Sequence, residues 1–339
     1  MPGQRIGAIW LDMTTPRLLL GRGQFSEVYL GKLNGNRDVA IKRMVVENQP
    51  NADYNKIPVN QPDAENNQIP ENPPDPGYNQ IVNQTPSTMR SNRINEALGR
   101  LDHPNVIKLL HVEEKNSIKY FALELCDTTL HQYKMGPCNE AMPNEVFVLL
   151  DMIKGLRYIH SNGFAHRNIE PKNILISKPP IRIILSDFGL SKPIDLNGSY
   201  SVSQDRALLR QRLNEDVQLR WLAPEMLDNP DDQGFSEKRG SIASDTFSMG
   251  CVFFFYLTPG LHPFGSGLHS THMNIVNGKP VNLKYLPEEQ QRFRSTIEAM
   301  ITNEPAARKG LADVENDLLE VIANLNLIEP QMERPDWLM

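Results

Sequence analysis

Cysteine is scarce in this chain: three in 339 residues, Cys126, Cys138 and Cys251, none at a CxxC spacing. That excludes a disulfide-built scaffold and a cysteine zinc site, and it suits a reducing compartment. Long apolar runs are also missing. The longest, Cys251 to Leu257, falls short of the roughly 20 residues that span a bilayer, and it ends before Pro259. At the N-terminus, Asp12 interrupts the brief Ile6 to Leu11 stretch that follows Arg5, a poor secretory pattern. The expectation is a soluble, cytoplasmic protein without a membrane span. Positive charge is short too. The 35 Lys and Arg stand against 41 Asp and Glu, giving a net charge of −6, so no nucleic-acid partner is expected.

What is present suffices for a sizeable core: 40% hydrophobic and 7% aromatic residues. At about 150 residues per domain, the length fits two domains or one two-lobed domain. Proline is in excess, 26 residues or about 8% against a usual 5%. Many of these lie in residues 47–90, an acidic Asn/Gln/Pro-rich stretch without helical or strand periodicity. Such a segment cannot bury enough apolar area to offset its ordering entropy, and it reads as a disordered surface insert.

Before the insert the pattern is one of strands. Arg17 to Leu20 runs into Gly21, Val28 to Leu30 follows, and Asn34-Gly35-Asn36 precedes Val39 to Lys42. Asn-Gly between apolar alternations is a hairpin signal. After the insert, Asn92 to Leu101 reads as a helix, then Val106 to Leu110 and Lys119 to Leu125 as strands. Helices over Glu145 to His160, Ser244 to Tyr256 and Leu311 to Leu325 follow from apolar spacing of 3.6, the second apolar nearly all round. A small β-rich half thus precedes a larger helical half, and no internal repeat appears.

The chemistry lies in ordered motifs. Gly21-Arg22-Gly23-Gln24-Phe25-Ser26-Glu27-Val28 sits between two strands, where glycines let backbone close over phosphates. Val39-Ala40-Ile41-Lys42 follows on the third strand. Then come His166-Arg167-Asn168-Ile169-Glu170-Pro171-Lys172-Asn173, Asp187-Phe188-Gly189 and Trp221-Leu222-Ala223-Pro224-Glu225, with Asp245 and Arg308 beyond. This order resembles the protein-kinase signature set from about Arg17 to Leu325. Tyr120 to Leu130, Asn173 to Ser177, Ser186 to Leu190, Phe247 to Phe253 and His262-Pro263-Phe264-Gly265 look like the kinase domain of the inositol-requiring kinase/endoribonuclease family of the unfolded protein response. The glycine loop is equally similar to NIMA-related kinases.

The resemblance implies an α+β, two-lobed protein-kinase fold. Its expected bounds are a tail 1–16, a small lobe 17–126, a helical lobe 127–325 and a tail 326–339. It implies ATP and Mg²⁺ as cofactors. Gly21, Gly23, Val28 and Ala40 would roof the adenine pocket and Leu175 would floor it. Leu123 falls at the gatekeeper, and Glu124 to Cys126 at the hinge whose backbone meets adenine. Lys42 would hold phosphates, Asp187 and Asn173 would ligate Mg²⁺, and Glu225 with Arg308 would form a buried structural pair. Members of the family carry a membrane anchor and a ribonuclease domain, for which no segment is found here, so ribonuclease activity is not expected.

Three departures bear on catalysis. Asn168 stands where the catalytic Asp belongs and cannot take a hydroxyl proton, a contribution typically of about 10²–10⁴-fold. Glu170 replaces the lysine that neutralises the γ-phosphate, adding repulsion where charge develops. In family register Ile94 replaces the helix glutamate that partners Lys42, and Glu96 lies about 200° round the helix, where only a shifted register would bring it to Lys42. Between Asp187 and Pro224, Ser191, Ser199, Tyr200, Ser201 and Ser203 are hydroxyls available for phosphorylation, with Arg167 as a partner, or plain loop residues. The leading expectation is a nucleotide-binding pseudokinase that docks to an active relative. An active Ser/Thr kinase acting on a protein substrate, with Glu170 assisting, and a scaffold that binds no nucleotide are the alternatives.

Overall fold

The computed structural model describes residues 3–23, 25–46, 85–136, 142–202, 219–227 and 239–328. Two lobes form, as the motifs imply. Seven antiparallel strands build the first: β1 (Gln4–Ile6), β2 (Ile9–Leu11), β3 (Leu19–Arg22), β4 (Ser26–Leu33), β5 (Arg37–Val45), β6 (Leu109–Lys115) and β7 (Ile118–Leu123). Their order is β1-β2-β4-β5-β7-β6, with β3 also paired to β4. Asn34 (φ 52°) and Gly35 (φ 84°) turn β4 into β5, two left-handed residues in a three-residue loop that closes on the Leu33–Arg37 pair.

Alternation along β5 sorts its side chains. Val39 and Ile41 enter a cluster with Tyr29, Leu33 and Tyr120, while Met44 joins the main core on the opposite face. Lys42 shares the Met44 parity and therefore faces the cleft between the lobes. The first cluster is completed by Ile6, Ile9 and Leu11, all buried. Residues 4–11, expected within a tail, are thus a hairpin of the small lobe, held by its three apolar side chains.

Helix α1 spans Pro86–Leu98 rather than Asn92 to Leu101. Thr85 caps it by accepting from the Thr88 N–H, and Pro86 occupies the first turn, where its missing N–H costs nothing. Residues 85–90, assigned to the insert, therefore belong to the fold. The disorder expected of 47–84 lies outside the described residues. Ile94, Ala97 and Leu98 bury α1 in the same core as Met44 and Phe121. The strand expected from Val106 begins at Leu109 instead. Asn105 holds the preceding residues against the helical lobe, its Nδ2 donating to the Ile183 carbonyl at 2.8 Å.

The second lobe centres on α2 (Glu145–Ser161) and α3 (Ile242–Leu257), with α4 (Leu311–Asn324) packed on α2. Fourteen of the sixteen α3 residues are buried, from Ser244 to Leu257, so it is the lobe's central helix. Its Asp245 accepts from the backbone N–H groups of His166 (2.8 Å) and Arg167 (2.7 Å), and pairs with His160 at 2.9 Å. That one carboxylate fixes the loop leading to Asn168.

Candidate active site

Cross-strand register assembles the roof. Gly21 lies opposite Val28, Val28 opposite Lys42, and Lys42 opposite Phe121, one row across four strands. A Cβ at Gly21 would meet no atom within 4 Å, so the loop has open space beside it. Gly23 closes the turn by donating its N–H to the Ser26 carbonyl at 2.8 Å. Two residues back along β5, in the next row on the same face, Ala40 pairs with Leu123. Below, Leu175 is the half-buried member of the short strand Ile174–Ile176, whose other two residues are buried.

Glu124 and Cys126 follow β7. The Glu124 side chain turns away from the roof, accepting from the Lys108 N–H and from Arg182 Nη2, each at 2.9 Å. Its own N–H goes to the Lys108 carbonyl. A nucleotide could therefore meet Glu124 through its carbonyl. Burial, aided by the Glu124 charge, pushes the Cys126 thiol up to about 12, so it stays protonated.

The reaction end centres on Asp187, left-handed at φ 64°. Lys42 Nζ contacts its Oδ1 at 2.5 Å, and Asn168 Nδ2 donates to its Oδ2 at 2.9 Å. Asn173 donates its amide to the Asn168 carbonyl (2.9 Å) and to Glu170 Oε1 (3.3 Å). Phe188 packs edge-on to His166, ring centroids 4.8 Å apart. Burial alone would raise the Asp187 pKa, but Lys42 and Arg90 outweigh it and hold the carboxyl below the usual range. Ile94, 2% exposed, sits in the apolar core, whereas Glu96 is exposed. The partner of Lys42 in this structure is Asp187.

Sequence reasoning missed Arg90, which lay in the stretch read as insert. Its stem lies on Gly189, and its guanidinium stands 4.7 Å over the Phe25 ring of the glycine loop. The Thr85-Pro86 start signal was the clue that would have placed it on a helix.

Divalent ions of the Mg²⁺ type need oxygen ligands open to them. Each Asp187 oxygen already accepts from a cation or an amide, and the Asn173 amide is turned to Asn168 and Glu170. A carboxylate oxygen that accepts one donor keeps a second lone pair, and Asn173 bonds through its Nδ2, so Asp187 and the Asn173 Oδ1 are the oxygens that would hold a Mg²⁺.

Among the hydroxyls considered for phosphorylation, Ser191 is buried and donates to the Phe188 carbonyl, and Ser199 bonds Asp195. Tyr200 is 3% exposed, its hydroxyl 3.2 Å from Ser244 Oγ. The Arg167 guanidinium stands 4.7 Å over the Tyr200 ring. An aromatic face thus meets Arg167 where a phosphate was considered. Ser203 lies outside the described residues. Tyr200 pairs with Gly240, where a Cβ would come within 2.4 Å of the Tyr200 ring. Gly240→Ala is expected to cost about 1–3 kcal/mol in denaturant unfolding, the usual penalty of overpacking.

Comparison with known proteins places these features. A family model described as protein kinase domain matches residues 80–319. The serine/threonine-protein kinase/endoribonuclease ire-1 of Caenorhabditis elegans is 35% identical over 185 residues, 52% of this chain and 17% of that protein. The human serine/threonine-protein kinase/endoribonuclease IRE2 is 35% identical over 221 residues, 62% of this chain and 22% of its own length. The sensor for unfolded proteins in the ER ire1 of Schizosaccharomyces pombe is 28% identical over 265 residues, 70% of this chain and 23% of its own. The chain thus spans about a fifth of the length of these relatives.

Proposed function

The chain belongs to the protein kinase domain family, and on that premise we propose that it binds a nucleotide but transfers phosphate weakly or not at all. One observation carries this: the group in the general-base position, Asn168, is a hydrogen-bond donor aimed at Asp187. An amide in that role cannot accept the hydroxyl proton. Glu170, the other group considered as a base, is buried and accepts from Asn173. Gly21, Gly23, Val28, Ala40 and Leu175 would enclose the base, the Glu124 carbonyl and the Cys126 backbone would meet its edge, and Lys42 would hold phosphate.

A regulatory role follows, in which the chain docks to an active relative and biases it. The Phe188–His166 packing and the buried apolar face of α1 support this, since they hold a kinase frame together without the Lys42–glutamate pair. No helix among the described residues is long and apolar enough to cross a membrane. A cytoplasmic setting is part of the proposal, supported by free thiols at Cys126 and Cys251.

Nucleotide titration followed by thermal shift, beside phosphate incorporation assays, tests the reading. The wild type is expected to bind ATP with negligible turnover. Lys42→Ala is expected to weaken binding by about 10-fold or more, the worth of a charged hydrogen bond. Robust turnover abolished by Lys42→Ala would make the chain an active kinase and refute the proposal.

A further inference from the structure

We propose that Arg182, which lies outside the signature motifs, is the positioning residue of the base slot: it ties the strand that floors the slot to the backbone edge that reads the base. The inference rests on the nucleotide reading above and adds what fixes the geometry of its base end.

The backbone of Arg182 belongs to the floor. It leads into the strand Ile183–Leu185, which pairs antiparallel with Ile174–Ile176, the strand that carries Leu175. The Arg182 N–H donates to Ser177 Oγ at 2.9 Å, and its carbonyl accepts from the Ser177 N–H at 3.0 Å. Arg182 is thereby registered to the residue that follows the floor strand. The same strand end meets the hinge, where the Asp127 N–H donates to the Ile176 carbonyl at 2.9 Å.

Its side chain belongs to the hinge. Nη2 donates to Glu124 Oε2 at 2.9 Å and Nη1 to the Pro104 carbonyl at 2.7 Å. The other Glu124 oxygen accepts from the Lys108 N–H at 2.9 Å, and the Glu124 N–H donates to the Lys108 carbonyl at 3.0 Å. With those groups committed, the Glu124 carbonyl is the one left to meet a base. Both charges of the pair also act on the thiol of Cys126, the next contact along that edge. The two side chains are 8 and 9% exposed. An ion pair buried this far adds little net stability over apolar residues of similar volume, so its worth here lies in direction. A planar fork spans two acceptors at fixed angles, which an ammonium does not.

The test uses the full chain with adenosine and inosine as probes, which differ by an amine against an oxo group on the base edge. The wild type is expected to favour adenosine, because the Glu124 carbonyl accepts a hydrogen bond and has none to give. Arg182→Lys, which keeps the charge and loses the fork, is expected to weaken adenosine by about 10-fold, the worth of a well-placed hydrogen bond, and to narrow the adenosine-to-inosine ratio alongside. Arg182→Met with Glu124→Leu leaves no charge unpaired, so its unfolding midpoint should lie closer to the wild type than that of Arg182→Met alone. Its adenosine affinity and its ratio are expected to stay low all the same. A wild type without preference, a ratio unchanged in Arg182→Lys, or a ratio that returns with stability in the double variant overturns the inference and leaves the nucleotide reading standing. Absence of binding by adenosine and by ATP overturns the two together.

Discussion

Restoring the catalytic loop, Asn168→Asp with Glu170→Lys, is expected to raise phosphotransfer by about 10²–10⁴-fold from the general base alone. The lysine adds to this by offsetting charge on the transferring phosphoryl group. The geometry also dictates how the gain appears. Asn168 Nδ2 now donates to Asp187 at 2.9 Å. An aspartate there sets two carboxylates side by side, and like charges at that distance repel unless a cation separates them. The reverted protein should therefore melt lower in EDTA than in Mg²⁺ and turn over only with the metal. Phosphate incorporation measured with both buffers checks this. A double variant that binds ATP yet stays silent would trace the loss to Ile94, which leaves Lys42 without its helix partner.

The largest loss of stability is expected at Arg308. Its side chain is 1% exposed and grips Glu225 through two hydrogen bonds of 2.6 and 2.7 Å. It also donates to the carbonyls of Thr302, Ala243 and Asn303, and its guanidinium stands 5.1 Å over the Phe247 ring. Arg308→Ala strands Glu225 and three carbonyls at once, a change of about 3–5 kcal/mol in pairs of this kind. Glu225 retains some contact with solvent, its side chain 23% exposed, which favours the lower end. Denaturant unfolding with an unchanged slope would measure it. Replacing both partners together, Arg308→Met with Glu225→Leu, should recover the part due to the unpaired Glu225 charge, while the three carbonyls stay without their donor.

Much of this architecture is legible in local sequence. Asn34-Gly35 announces its hairpin because only a few residue types accept two left-handed positions. The parity of Val39 to Met44 sends Lys42 to the cleft, and the apolar run Phe247 to Leu257 announces a central helix. Arg90 was hidden because a polar composition masked the helix around it, and only the Thr85-Pro86 cap marked the boundary. Tyr200 was hidden for another reason. Its burial depends on Gly240, forty residues on, and on Arg167, thirty-three residues back, and no local pattern carries such pairings. The side-chain direction of Glu124 likewise depends on Arg182, across the lobe boundary.

The N-terminal hairpin bears on how another molecule can approach. β1 and β6 end the strand order on opposite sides, yet they lean together, and the Ala8 N–H in the β1–β2 turn donates to Glu113 of β6 at 3.0 Å. The sheet curls until its outermost strands shield one another. Unpaired strand edges are the places where a foreign strand can add itself by backbone hydrogen bonding. With those two rims turned inward, extension by a partner strand at β1 or β6 is disfavoured, which leaves β3, paired here to β4 alone, as the edge where a strand could add.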